Sequence, residues 1–186
     1  MKLKHLVFFL FASALLFSAC EKDKEEIDTV WKEANEAAFA KTAASSGYTK
    51  LESQSKNGSI AYKVLKAGSG TESPLFSDKV KVKYVGWYKR FDWTKGDTYV
   101  DESNGNFITN KIEFDKSLEI PATFSVSNVV DGFSTALQYM VVGDKWEVWI
   151  PWKLGYGSSG YSGSSQTIEG YTTLVFEVEL EEIIKE

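Results

Sequence analysis

Very little of this chain can perform nucleophilic or acid–base chemistry. Its 186 residues include one cysteine, Cys20, and one histidine, His5, both near the amino end. A Ser/His/Asp triad and a Cys/His metal site are therefore excluded from the body of the chain. A lone cysteine also cannot close an intramolecular disulfide. The segment Asp101-Glu102-Ser103-Asn104-Gly105-Asn106 carries oxygen donors like a calcium loop, but it lacks the glutamate at the closing position and reads equally as a polar turn. No metal and no cofactor are expected. What the chain has in quantity is aromatic surface: six tryptophans, nine tyrosines and twelve phenylalanines. Trp87, Trp93, Trp149, Trp152 and Tyr161 either stand exposed, where they could stack on sugars or hold peptide, or close the second face of a sheet.

The elements that must position these groups are legible from periodicity. After Asn57-Gly58, Ile60, Tyr62 and Val64 alternate with Ala61, Lys63 and Leu65 up to the turn Ala67-Gly68-Ser69-Gly70. Val80, Val82 and Tyr84 alternate with Lys81 and Lys83, and Leu174, Phe176, Val178 and Leu180 with Glu177 and Glu179. Such runs are antiparallel strands with one solvated face. Phe133, Ala136, Leu137 and Met140 recur at helical spacing, with Asp131 available as a cap and Gly143 beyond the end. One short helix across a sheet is an α+β arrangement. The length suits one domain with appendages.

The amino-terminal part differs in composition. Residues 1–19 have a basic start at Lys2 and Lys4 and an apolar run, Leu6 to Phe17, too short to favour a membrane span, so they are expected to form a signal peptide. The sequence Leu16-Phe17-Ser18-Ala19-Cys20 resembles a bacterial lipoprotein processing site, with Cys20 as the lipidated residue; the alternative is a cut near an incidental cysteine in a freely secreted protein. Residues 20–57 then form a polar tether. Glu21 to Glu26 is a solvated charge run, somewhat similar to export signals of surface lipoproteins. Ile27, Val30, Trp31, Ala34, Ala37 and Ala38 form a helical stripe, with Asp28 as a possible cap; the stripe docks on the domain or on a second copy, or the helix is a solvated spacer. Removing residues 1–19 takes away two lysines and no acid, moving the net charge of −5 further to the acidic side. That argues against a nucleic-acid partner. The expected location is the bacterial envelope, lipid-anchored at the outer membrane; the membrane face and the oligomeric state stay open.

Several segments in order carry a resemblance: Val80-Lys81-Val82-Lys83-Tyr84-Val85-Gly86, Phe114-Asp115-Lys116-Ser117, Pro121-Ala122-Thr123-Phe124, Val129-Val130-Asp131-Gly132-Phe133, Met140-Val141-Val142-Gly143-Asp144-Lys145, Ile150-Pro151, Gly155-Tyr156-Gly157, and Leu174 to Leu180. In order and spacing the chain resembles the FKBP-type peptidyl-prolyl cis-trans isomerases over roughly residues 58–186. The resemblance implies a strongly twisted antiparallel sheet wrapped around one short helix. It implies a cofactor-free isomerase acting on proline-containing unfolded or extended polypeptides. Its catalytic pocket residues fall on Tyr84, Phe114, Asp115, Tyr156 and Phe176, and its substrate-binding wall on Val129, Val130, Phe133 and Ile168. Phe133 stands at the floor, where many members have tryptophan. The Tyr156 hydroxyl and the backbone N–H near Ile168 would meet a substrate carbonyl.

The chain departs from the family pattern in two places. Residues 89–112 are an inserted loop or hairpin, and the Tyr161–Gly170 loop is longer and lacks the usual prolines. Phe91-Asp92 competes with Phe114-Asp115 for the Phe-Asp position, but only the latter is followed by Ser117 and the Pro121 segment. The second functional reading is a non-catalytic peptide- or glycan-binding lipoprotein on the same fold.

Overall fold

A computed structural model describes residues 28–163 and 166–185. Residues 1–27, with the segment expected to be a signal peptide, Cys20 and Ile27, lie outside the described residues. A helix, α1, covers 28–43. The strands are β1 (Thr49–Glu52), β2 (Ser59–Lys66), β3 (Lys79–Lys89), β4 (Thr98–Val100), β5 (Phe107–Thr109), β6 (Lys111–Lys116) and β7 (Ala122–Ser125), then, after helix α2 (Asp131–Leu137), β8 (Lys145–Ile150), β9 (Tyr161–Ser162), β10 (Thr167–Ile168) and β11 (Leu174–Ile184).

Seven strands form one antiparallel sheet in the order β1-β2-β8-β11-β3-β6, with β7 pairing the first half of β3 and β6 the second. β4 pairs with β5, and β9 with β10, as separate two-stranded ribbons. The sheet begins at Thr49, ahead of the alternation at Ile60, because β1 pairs with β2.

The alternation decides the two faces. Val148, Ile150, Phe176, Val178, Val80 and Val82 point to the face covered by α2 and are buried together with Phe133, Ala136, Leu137 and Met140. Gly132 permits the close approach of α2 to β8, since a Cβ there would lie 2.4 Å from Ile150 Cγ2. Asp131 is not the cap expected from sequence. It is the first helical residue, and its carboxylate accepts hydrogen bonds from Ser53 Oγ at 2.7 Å and from Ser55 Oγ, so the β1–β2 turn competes for the group.

On the opposite face Trp149, Val175 and Trp87 lie in one row across β8, β11 and β3. Trp93, from the inserted segment, packs on both tryptophans at ring-centroid distances of 5.1 Å (Trp149) and 6.2 Å (Trp87). Trp87, Trp93 and Trp149 thus close the second face of the sheet rather than standing free.

Helix α1 docks on the domain. Buried Asn35 accepts from the Thr173 backbone N–H at 2.8 Å and from Trp93 Nε1–H at 3.1 Å, Trp31 Nε1–H donates to the Gly170 carbonyl at 3.0 Å, and Trp152 Nε1–H donates to Glu36 at 3.0 Å. The docked face overlaps the apolar stripe only in part: Trp31, Ala34 and Ala38 are half-buried, Val30 and Ala37 are exposed, and the centre of the contact is polar Asn35. Hydrogen bonds to the segments flanking β8 and β11 and to the insertion set the rotation of this helix.

The insertion is a hairpin organised by Asn110. This buried amide donates to the carbonyls of Asp92 and Gly96 and accepts from the N–H groups of Phe91 and Asp92. The Asp101–Asn106 segment is the turn between β4 and β5, its Asp101 carboxylate accepting from Ser103 and Asn104. Among the described residues no group of three or more His, Cys, Asp or Glu side chains is placed to hold a metal ion.

Candidate active site

A small cavity of about 240 Å³ opens between α2 and the concave side of β3, β6 and β11. Tyr84 enters from β3, Phe114 and Asp115 from β6, Phe176 from β11 and Phe133 from α2, while Val129 and Val130 come from the segment before α2 and Tyr156 from the loop after β8. Alternate positions of β3 and β11 share this face, and a register shift in the β3–β6 pairing between Gly86 and Trp87 lets the consecutive Phe114 and Asp115 both reach the cup. The segment before α2 reaches the rim because it leads directly into the helix that closes the sheet.

The rings meet edge to face, the arrangement that aromatic quadrupoles favour. Phe133 and Phe176 are 4.9 Å apart at 63°, Phe114 and Phe176 5.4 Å at 85°, and Tyr84 and Phe133 6.1 Å at 70°. Gly86 makes this possible: a Cβ there would lie 2.6 Å from Phe176 Cε1 and 2.8 Å from Phe114 Cζ.

Two polar groups border the apolar cup. Tyr84 donates its hydroxyl to Asp115 Oδ2 at 2.7 Å. Burial first, then the Asp115 hydrogen bond and charge, hold the Tyr84 hydroxyl well above its ordinary pKa. Tyr156 is likewise raised by burial and then by the Asp115 charge. Among the described residues none hydrogen-bonds the Tyr156 hydroxyl, which leaves it available to a bound molecule. An apolar cup with a neutral phenol donor at its rim can strip water from a small cyclic side chain and orient an adjacent carbonyl. It offers no nucleophile and no charged ligand set.

The model of the FKBP-type peptidyl-prolyl cis-trans isomerase family matches residues 70–181. The chain belongs to this family. A curated FKBP-type 22 kDa peptidyl-prolyl cis-trans isomerase of Escherichia coli is 37% identical over 67% of this chain and 50% of its own length. The outer membrane protein MIP of Legionella longbeachae is 35% identical over 65% of this chain and 42% of its own. The chain thus spans about half the length of such curated relatives. The crystal structure of FkpA from E. coli superposes with a TM-score of 0.66 at 26% identity, covering 100% of this chain and 74% of that one.

Within this FKBP domain the structure brings together eight of the nine pocket residues expected from the resemblance. Ile168 does not line the cup. It is buried at the wall of an adjoining recess that shares Phe114, Asp115 and Tyr156 with the cup. Phe91 and Asp92 do not reach the site: Phe91 is 51% exposed and the Asp92 carboxylate accepts from Thr94 in its own turn.

Two lining residues were missed, Phe124 and Asn128. Phe124 packs 5.5 Å from Tyr84 and is paired with Val80, so the inward alternation of β3, continued across to β7, would have found it. Asn128 sits in a short 3-10 turn with no periodic signal.

Proposed function

We propose that this chain catalyses cis-trans isomerisation of X-Pro bonds in unfolded or extended polypeptides. The aromatic cup with its rim hydroxyl carries the reading. Resonance gives the peptide C–N bond partial double-bond character and a rotation barrier of ~18–20 kcal/mol. Twisting the bond removes that resonance and with it part of the carbonyl's polarity. Water favours the polar planar forms, so moving the amide into an apolar cavity lowers the cost of twisting. Phe133, Phe176, Phe114 and Tyr84 enclose the proline ring, and Val129 and Val130 support the chain at the rim. Tyr156 donates to the substrate carbonyl, with the gain arising where the hydroxyl meets that oxygen in its rotated position rather than in either planar one. The Tyr84–Asp115 bond fixes the ring that forms one wall.

The protein acts in the bacterial envelope in this reading, carried there by residues 1–19 and held at the outer membrane through lipidated Cys20. The sequence Leu16-Phe17-Ser18-Ala19-Cys20 and the relative named as an outer membrane protein support it. No helix of the described residues is long and apolar enough to cross a membrane.

The test is isomerisation of a proline tetrapeptide by the purified domain, followed by exchange spectroscopy, beside a glycan-binding screen. Catalysed exchange is the expected result. A folded protein that leaves the exchange rate unchanged overturns the enzyme reading, and glycan binding by that protein establishes the binding-module reading.

A further inference from the structure

The cup is not the largest concavity beside the sheet. A cavity of about 570 Å³ lies at the end of β3 and β6, walled by Tyr88, Arg90 and Ile112 and closed by Trp31 of α1. Its volume is in the range of sites that bury most of a drug-sized ligand. Part of its wall exists only because of features outside the simple domain pattern: Arg90 opens the insertion, and Asp28 and Trp31 belong to the docked helix.

Two observations join this cavity to the cup. The recess that borders the cup through Phe114, Asp115 and Tyr156 also contains Gln166, and Gln166 lines the larger cavity as well. Tyr88, in the larger cavity, packs 6.2 Å from Phe114 of the cup. The three spaces therefore form one path along the sheet's concave end.

Gln166 Nε2 is buried on that path and has no hydrogen-bond partner among the described residues. An unpaired buried amide donor costs stability, and a substrate carbonyl would satisfy it. Beyond it the cavity presents the apolar faces of Trp31, Tyr88 and Ile112, with Asp28, Glu169 and Arg90 at its polar edge. Burial holds the Tyr88 hydroxyl above its ordinary pKa, so this wall stays neutral.

We propose that the cleft between α1 and the β3–β6 end is a second subsite for the polypeptide whose proline occupies the cup. This rests on the isomerase reading. The occupant is the extended segment flanking the proline: a main-chain carbonyl accepts from Gln166 Nε2–H and an apolar or aromatic side chain packs against Trp31 and Tyr88. The subsite selects long clients over short peptides without touching the rotating bond.

The test compares a proline tetrapeptide with a dodecapeptide carrying the same four residues at its centre, which reaches ~40 Å when extended. Gln166→Leu keeps the side-chain bulk and removes the unpaired donor; Gln166→Ala is the second variant if Leu perturbs the fold, and thermal unfolding is followed for both. The expected result is a wild-type kcat/KM higher for the dodecapeptide, and a loss of about fivefold in the variants for that substrate alone, carried by KM with kcat unchanged. Equal response of both peptides, or no response, overturns the second subsite. If wild type isomerises neither peptide, the isomerase reading fails and the subsite falls with it. If wild type isomerises both alike, only the subsite falls.

Discussion

Gly86→Ala tests whether the ring geometry of the cup is what the chain is built to maintain. The added Cβ would lie 2.6 Å from Phe176 Cε1, 3.0 Å from Phe176 Cδ1 and 2.8 Å from Phe114 Cζ. Ordinary carbon contacts need ~3.5–4.0 Å, so each ring must retreat by roughly 1 Å. Part of that movement goes into the cup that both rings line, and the rest is opposed by neighbouring rings. Phe176 is 6% exposed and already meets Phe133 at 4.9 Å, while Phe114 meets Tyr88 at 6.2 Å. Overpacking of this kind costs about 1–3 kcal/mol, equivalent to a fall of roughly 5 °C in Tm for a chain of this length. The displaced rings also narrow the cup, so KM for a proline tetrapeptide should rise in the fraction that stays folded. Thermal unfolding and peptide exchange on the same samples measure both effects. If the variant unfolds and isomerises like wild type, Phe114 and Phe176 do not pack against residue 86 and the description of the cup is wrong.

Tyr156→Phe should lower kcat/KM for a tetrapeptide by about fivefold, the worth of one hydrogen bond, with stability within ~0.5 kcal/mol of wild type; Asp115→Ala should also reduce activity by releasing the Tyr84 ring, and parity of both variants with wild type would remove the rim groups from the mechanism. Asn35→Leu leaves the Thr173 N–H and Trp93 Nε1–H without their acceptor, so urea unfolding should show a loss of about 2 kcal/mol while tetrapeptide isomerisation is retained, because α1 contributes nothing to the cup. The raised phenol pKa values of Tyr84 and Tyr156, and of Tyr48, which burial and a hydrogen bond to Glu147 push up to about 12, mean that the folded state holds these protons more tightly than the unfolded chain. Their contribution is therefore fully present below pH ~10 and is lost as pH rises through the folded values, which an alkaline unfolding series with phenolate absorbance would follow. Cys20→Ser should release the protein from membranes or leave its signal segment attached, whereas membrane fractionation identical to wild type would discard Cys20 as the anchor.

The sheet and the cup were readable because strand alternation and the spacing of family segments both report on which side chains share a face. Tyr84, Phe114 and Phe176 sit at inward positions of β3, β6 and β11, and the same parity that buries Val82 and Val178 turns Tyr84 and Phe176 toward α2. Ile168 was misplaced because β9 and β10 pair only with each other, so no register with the main sheet fixed its direction. Asp131 was misread as a cap because capping propensity is local, while the Ser53 and Ser55 hydroxyls that claim its carboxylate lie far away in sequence. Helix α1 was legible as a helix, and its docked face in part: Trp31, Ala34 and Ala38 of the apolar stripe are half-buried and Trp31 donates to Gly170. Apolar periodicity also points to Val30 and Ala37, which are exposed, and a buried asparagine with its partners just before β11 and in the insertion leaves no periodic trace.

That asparagine explains how the unusual parts of the chain depend on one another. A bare sheet would leave Trp87 and Trp149 open on its second face as an exposed apolar patch. The insertion supplies Trp93 as the cover, and its indole N–H then needs an acceptor in a place that water does not reach freely. Asn35 provides the oxygen, and the same oxygen satisfies the Thr173 N–H next to β11. Its own amide donates back to the Trp31 carbonyl at 2.9 Å, fixing the orientation of the group. Removing either α1 or the insertion strands a buried donor or acceptor on the other, so the two departures from the simple domain stabilise one another. Trp31 and Arg90, which wall the second cavity, are thus held in place by an arrangement whose first effect is to close the tryptophan face.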